Sequence, residues 1–402
     1  NLVSGTSIKT INGQSVLGNG NIEITAEADL SNYYTKPQVD GFINEIYAEI
    51  GSQIIIGGEH YGIRWNQETD VYEELGATNR TQIQRNMKRC VLNNDGTVNY
   101  YLNPTNSTLK ENGTPAVLTG ADGNVMVEVP KFWYKHTLVG DTHEWWVSTT
   151  PLEGYSVHPW FLEGGVERPF RYYRAYAPTV VAGKLRSISG STPTRNQTRN
   201  TFRTQARANG TGWGLCSWNA VNAIQLLFLT EYCTFNTQAV LGTGNDTGND
   251  YGLTTGQSNS TGNASSGNTN NNTWMSYRGI ENWYADCWEF IDGLNIQNYK
   301  VFLNQNPATF ADDVFTGDYV DSGVTLPAMS ASYIKKITGN FLPTAVGGSS
   351  STFVTDGWWS DSTGTLAIFG GGGLGLLGGG FAFYASLSAG NFYDNTSAGL
   401  SR

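Results

Sequence analysis

Apolar and polar positions alternate most cleanly in the middle of the chain. In NVMVEVP, Val125, Val127 and Val129 take every second position, the period of a β-strand with one apolar face. Downstream, KFWYKHTLVGDTHEWWVSTTP reads as a hairpin turning at Gly140-Asp141. Its adjacent aromatics, Trp133-Tyr134 and Trp145-Trp146, put one ring on each face of a strand, so at least one face needs cover. Upstream, YGIRWNQETDVYEEL reads as a short hairpin, Thr81–Cys90 as a short helix, and DGTVNYYLNP as a turn and strand. The strongest helical pattern is Ser217–Phe235. Val221, Ile224, Leu227, Phe228 and Phe235 lie on or near one stripe, and Ser217 is placed to cap the first turn.

The end of the chain alternates again. In FAFYASLS, Phe381, Phe383, Ala385 and Leu387 are expected to face a core, and Ala382, Tyr384, Ser386 and Ser388 to face solvent. Trp358 and Trp359 open this stretch, a glycine-dense turn from Gly370 to Gly380 precedes the strand, and an exposed-looking run from Asn391 to Thr396 follows it. Glycine clusters of this density require a sharp turn or close backbone approach. Tyr, Trp, Ser, Asn and Gly together are the composition of a binding surface, in which stiff aromatics supply area and short polar groups supply hydrogen bonds. The contact candidates are Trp358, Trp359, Asp361, Tyr384, Ser386, Ser388, Phe392, Tyr393, Asp394 and Asn395. Core packing is the competing reading for the two tryptophans, and mere closure of a sheet is the competing reading for the glycines.

Three further stretches carry patterns. The stretch Asn1 to Ile24 holds hairpin turns at Asn12-Gly13 and Gly18-Asn19-Gly20. After Pro37, Val39, Ile43, Ile46 and Ile50 follow at spacings of four, three and four. β-Branched residues at both positions of such a seam favour a trimeric coiled coil, and the alternative is an amphipathic helix packed on its own domain. Arg195, Arg199, Arg203 and Arg207 make one positive stripe if helical. The stripe is open to three readings: a site for acidic polysaccharide or phosphate, a solvated face, or a partner for carboxylates on a neighbouring domain. Gly242–Thr273 is almost wholly Gly, Asn, Ser and Thr. Burial cannot order such a composition, so the stretch is expected to be a functional or mobile loop.

Composition narrows the function. Charged residues are 14% of the chain and aromatics 12%, with 49 glycines and a net charge of −10. That fits a β-rich extracellular or virion protein and argues against nucleic-acid or anionic-membrane binding. No run of 18 apolar residues exists, so membrane insertion is not expected. Cys90, Cys216, Cys233 and Cys287 are too few and scattered for a disulfide scaffold, and without a CxxC pair no zinc site is expected. The start, NLVSGTSIKT, lacks the pattern of a signal peptide. His60, His136, His143 and His158 are too widely spread to argue a site. No nucleophile elbow, HExxH or phosphate-binding loop is present, so no catalytic residue, metal or cofactor is assigned.

The stretch Asn1 to Ile24, together with LSNYYTKPQVD, resembles segments of tailed-bacteriophage fibres. Further on, Tyr277, Arg278, Gly279, Glu281, Asn282, Trp288, Glu289 and Asp292 resemble the signature of the C-type-lectin-like fold of the formylglycine-generating-enzyme type. That fold is also used by variable proteins of diversity-generating retroelements and related phage receptor-binding proteins. The chain departs from that pattern at Ala285-Asp286-Cys287, where Gly-Asn-Val is usual, and it lacks the enzymes' active-site cysteine pair. The resemblance implies an α+β architecture: a β segment (1–26), a trimeric coiled coil (27–56), a connecting β-rich region (57–122) and a C-type-lectin-like head with long loops (123–402). It implies a homotrimeric virion fibre attached to other fibre or baseplate proteins by its N-terminus, with a head that binds a bacterial surface glycan or protein. The signature carboxylates are expected to bond backbone in the fold core. Two alternatives stand beside this: a polysaccharide depolymerase, in which Glu289 or Asp292 pairs with Asp361, and a virion decoration without a receptor.

Overall fold

The computed structural model describes residues 60–245, 252–267, 273–328, 332–360, 366–369, 379–387 and 396–402; over 366–369 and at 384, 386 and 387 it describes the backbone. All belong to a unit running from Ile55 to Arg402. The hairpins expected between Asn1 and Ile24 and the seam of Val39, Ile43, Ile46 and Ile50 lie outside the described residues, as do Asp361, Ser388, Phe392, Tyr393, Asp394 and Asn395.

The described part is mostly β-sheet, in open sheets of five, seven and nine strands, with few helices. The five-stranded sheet is built on the two expected hairpins. His60–Asn66 pairs with Val71–Gly76 and also with Thr142–Ser148, which turns through Gly140-Asp141 to Trp133–Val139. Gly140 has φ +59°, the left-handed conformation that glycine adopts at least cost. Trp145 is buried and Trp146 half-buried, as the one-ring-per-face argument requires.

Thr81–Cys90 is not a helix. One short 3-10 turn, Gln84–Asn86, leads into the strand Lys88–Leu92. The reason is tertiary. Gln84 is drawn into the core, accepting from Tyr61 Oη at 2.5 Å and donating to Leu227 O at 2.8 Å. Cys90, Val91 and Leu92 are then buried between strands on both sides, Val98–Asn103 and Asn124–Pro130. These pairings also run across the boundary expected at 122/123, so that stretches before and after it share two sheets.

The helix Trp218–Tyr232 matches the expected span. Ser217 Oγ accepts from Ala220 N, and Cys233, at φ +54°, closes the other end through its N–H to Leu229 O. The expectation of a single apolar stripe is too narrow: Ala220, Ala223, Leu226 and Leu229 are buried along with Val221, Ile224, Leu227 and Phe228. A helix apolar all round must be covered all round. This one packs against His60–Asn66 and Thr142–Ser148 of one sheet and Trp288–Gln297 of another. Each fully buried Leu, Ile or Phe is worth roughly 1.5–3 kcal/mol, so this layer holds the sheets in fixed relation.

The nine-stranded sheet contains the C-terminal stretch. Trp288–Gln297 pairs antiparallel with Leu366–Phe369, which pairs with Phe383–Leu387, which lies parallel to Gly357–Ser360. Thr396–Ala398 returns parallel to Trp288–Gln297, and Leu400–Ser401 crosses into the seven-stranded sheet between Phe170–Arg174 and Gly214–Leu215. The end of the chain thus stitches two sheets together.

Candidate functional site

The expected alternation at the end of the chain holds for Phe381, Phe383 and Ala385, which are buried. It fails at Ala382, expected outward and also buried, because the chain there is a turn tied to the core. Phe381 N donates to Asp356 Oδ2 at 2.7 Å, and Gly380 N donates to Thr237 Oγ1 at 3.0 Å. A Cβ on Gly380 would lie 2.5 Å from the Trp283 ring, which is why no side chain fits there. Thr396, at the end of the exposed-looking run, is buried in a strand.

The two tryptophans separate. Trp358 is 0% exposed, and its ring stacks on Phe383 at 5.7 Å and 19°. It is therefore core, not a contact residue. Trp359 is half-buried and, by strand alternation, belongs to the other face. Its register partner is Tyr384, on a strand well separated in sequence, just as Trp358 partners Phe383. Ser360 and Leu387, which precede residues 361 and 388, end their strands at the same edge: Ser360 partners Ala385 and Leu387 partners Leu366.

The signature residues form a buried polar frame. Glu281 accepts from Gly256 N at 2.8 Å, Ser258 N at 2.7 Å and Ser258 Oγ at 2.6 Å. Asp286 Oδ1 accepts from Asn245 Nδ2, Gly252 N and Leu253 N, each at 2.9 Å. Arg89 adds Nε to Gly279 O at 2.7 Å and Nη2 to Ser258 Oγ at 2.6 Å. These bonds correct the reading of Gly242–Thr273. Within it, the described residues 252–267 have little apolar surface to bury, yet are held by carboxylates and a guanidinium that take their main-chain and hydroxyl groups. Asp286, the departure from the family pattern, is one of those anchors.

Glu289 pairs with Arg174, whose Nη1 and Nη2 also reach Glu281 O and Asn282 O at 2.9 Å. Asp292 takes Arg203 in a two-pronged contact, Nε to Oδ2 at 2.8 Å and Nη2 to Oδ1 at 2.6 Å. Both acids raised as hydrolytic partners of Asp361 are therefore engaged by arginines.

The arginine stripe belongs to the same frame. Its helix is Arg199–Arg207, capped by Thr198, so Arg195 precedes it. Arg199 and Arg203 are buried, not solvated. Arg199 donates to Asp312 Oδ1 at 2.7 Å, Asn295 Oδ1 at 2.6 Å and the carbonyls of Ile291 and Leu294. Burial pushes the Asp312 carboxyl up, but Arg199 and Arg203 outweigh that and hold it below the usual aspartate range. Arg199 and Arg203 do pair with carboxylates, but with Asp292 and Asp312 of their own unit rather than with a neighbouring domain.

Hairpin register brings together two histidines from facing strands. His136 Nε2 and His143 Nδ1 are 2.9 Å apart, and His143 stacks on Trp145 at 4.6 Å. Burial lowers His136, and burial followed by His136 lowers His143 to about 4. All four cysteines are free, three of them buried. Among the described residues no group of three or more His, Cys, Asp or Glu is placed to hold a metal ion.

Two concave features have neither Trp359 nor Tyr384 in their linings. A cleft of about 250 Å³ includes Tyr134, His136, Trp218, Asn222 and Asn340 in its lining. A larger groove of about 430 Å³ includes Glu163, Arg171, Arg207 and Phe310. Sequence pattern set Arg207 in a stripe and noted Tyr134 and His136, but gave no sign that they line these features, whose residues come from stretches far apart along the chain.

No family model and no curated protein matches the chain. Among solved structures, the Major Tropism Determinant I1 variant aligns over 87% of this chain and 73% of its own, at 12% identity and a TM-score of 0.30. The P3c variant aligns over the same shares at 14% identity and a TM-score of 0.29. Superpositions this loose carry no argument about the present chain.

Proposed function

We propose that this chain is a bacteriophage fibre protein whose C-terminal, C-type-lectin-like head binds a bacterial surface receptor, glycan or protein. The observation that carries the reading is the register pairing of Trp359 with Tyr384 on adjacent strands, backed by the buried stack of Trp358 on Phe383. A stiff aromatic pair on a fixed sheet is a low-entropy anchor for a ligand. Asp361, Ser386, Ser388, Phe392, Tyr393, Asp394 and Asn395 complete the contact set. Aromatic planes would stack on sugar or side-chain faces, and the polar groups would bond hydroxyls. The N-terminal part joins three copies through Val39, Ile43, Ile46 and Ile50 and attaches them to the virion. Three linked heads raise weak single-site binding by about 10²–10⁴-fold.

Adsorption of the labelled intact protein to a panel of bacteria tests this, beside a Trp359→Ala, Tyr384→Ala double variant with an unchanged melting temperature. Strain-selective adsorption that disappears in the variant is expected. Adsorption that survives the double change would remove the C-terminal strands as the site.

A further inference from the structure

The larger groove holds two arginines whose guanidinium groups are mostly unspent. Arg171, on the strand Phe170–Arg174, is 9% exposed. Its nearest carboxylate is Glu163, at 3.6 Å from Nη1, too far for a hydrogen bond. That carboxylate is already taken by Arg168, whose Nε donates to Glu163 Oε2 at 2.8 Å. Nε of Arg171 has no partner among the described residues. Burial lowers the Arg171 guanidinium below its usual value; Glu163 opposes this, while Arg402 and Arg168 reinforce it. Arg207, exposed in the last turn of its helix, donates to the carbonyl of Pro307, at 2.9 Å. Asp292 also lines the groove, but both its oxygens are held by Arg203.

A buried guanidinium whose one carboxylate lies beyond hydrogen-bond range and is shared with another arginine is costly, because its desolvation is only partly repaid. It is less expected still in a chain where acidic residues outnumber basic ones 34 to 24. Such a group is accounted for when a ligand brings the missing anion. The groove is too large for a small inorganic anion to fill. Phe310, Leu215 and Pro307 give it an apolar side, and Thr211 with the glycines around it leaves main chain close to the space. A planar carboxylate matches the guanidinium fork, and a sugar ring matches the mixed apolar and polar wall.

We infer that this groove binds an acidic sugar, a hexuronic acid unit of a polysaccharide, with its carboxylate on Arg171 and with Arg207 at the rim. The inference rests on the groove alone and stands whether or not the C-terminal strands bind a receptor.

Calorimetric titration of the intact protein tests it, with tetrasaccharides of glucuronic or galacturonic acid as probes. A glucose tetrasaccharide serves as the neutral control and inorganic phosphate as a competing oxyanion. The uronate probes are expected to bind, the neutral one not. Affinity should fall at least about tenfold in Arg207→Gln, whose exposed position leaves the fold alone, and below detection in Arg171→Gln. The near-ultraviolet circular dichroism of both variants checks folding, and Arg207→Gln keeps the test decisive if Arg171→Gln misfolds. Absence of uronate binding at about 10 mM, equal binding of the neutral probe, or unchanged affinity in Arg207→Gln would each overturn the inference. Tighter binding of phosphate than of either uronate would overturn the sugar assignment.

Discussion

Arg203 and Arg171 face the same acidic chain from two buried positions and meet opposite circumstances. Arg203 has a two-pronged carboxylate in Asp292 and a second in Asp312. Arg171 has only a distant, shared one. Identical side chains at comparable burial thus do different work. The first ties a helix to the nine-stranded sheet, and the second leaves a charge that the fold balances only in part. Burial of an arginine is therefore not evidence of a structural role until its partners are counted.

The comparison can be broken by removing one partner at a time. Asp292→Ala leaves Arg203 buried without its main carboxylate, and a loss of about 3–5 kcal/mol in denaturant unfolding is expected. A loss below about 1 kcal/mol would mean that Asp312 alone suffices. Acid acts on a second set of buried groups. Burial lowers His158 to about 4, with its bond to Asn222 opposing, and burial with His136 lowers His143 to about 4. For both, the unfolded chain holds the proton more tightly. Stability is then full above about pH 6.5 and falls as the pH drops toward 4, by up to about 1.4 kcal/mol per unit for each group. Asp312, held below the usual aspartate range, keeps its ion pairs until the pH is lower still. Thermal melts from pH 7 to 4 check this, and a flat profile would refute it. Ser217→Ala removes the cap of the central helix and should cost about 1 kcal/mol. Arg171→Gln closes the series. Removing a buried charge that is only partly balanced should leave the unfolding free energy within about 0.5 kcal/mol of the parent or raise it. A loss as large as that of Asp292→Ala would show that Arg171 is structural after all.

Local pattern was a sound guide where the interactions were local. The turn at Gly140-Asp141, the alternating strands of the hairpins and the capped helix after Ser217 are set by neighbours within a few residues. Thr81–Cys90 went the other way because Gln84 bonds across to Tyr61 and Leu227, a contact no local window contains. The candidate site was legible only in part. Composition pointed to the C-terminal stretch, but adjacent tryptophans carry no mark of which is core. Pairing with Phe383 and Tyr384, on a strand reached only after the intervening turn, decided that Trp358 packs inward while Trp359 does not.

By itself, then, the sequence determined the strand-rich character, the hairpins of the five-stranded sheet and the central helix, because periodicity and turn chemistry act over short spans. Only the tertiary structure decided which charges are balanced. Arg199 and Arg203 look no different from Arg207 along the chain, and Arg171 carries no motif at all. Whether each guanidinium meets a carboxylate depends on what distant stretches of the chain bring beside it. That pairing, set by the packing of sheets and helix, separates the arginines that hold the fold from those left for a ligand.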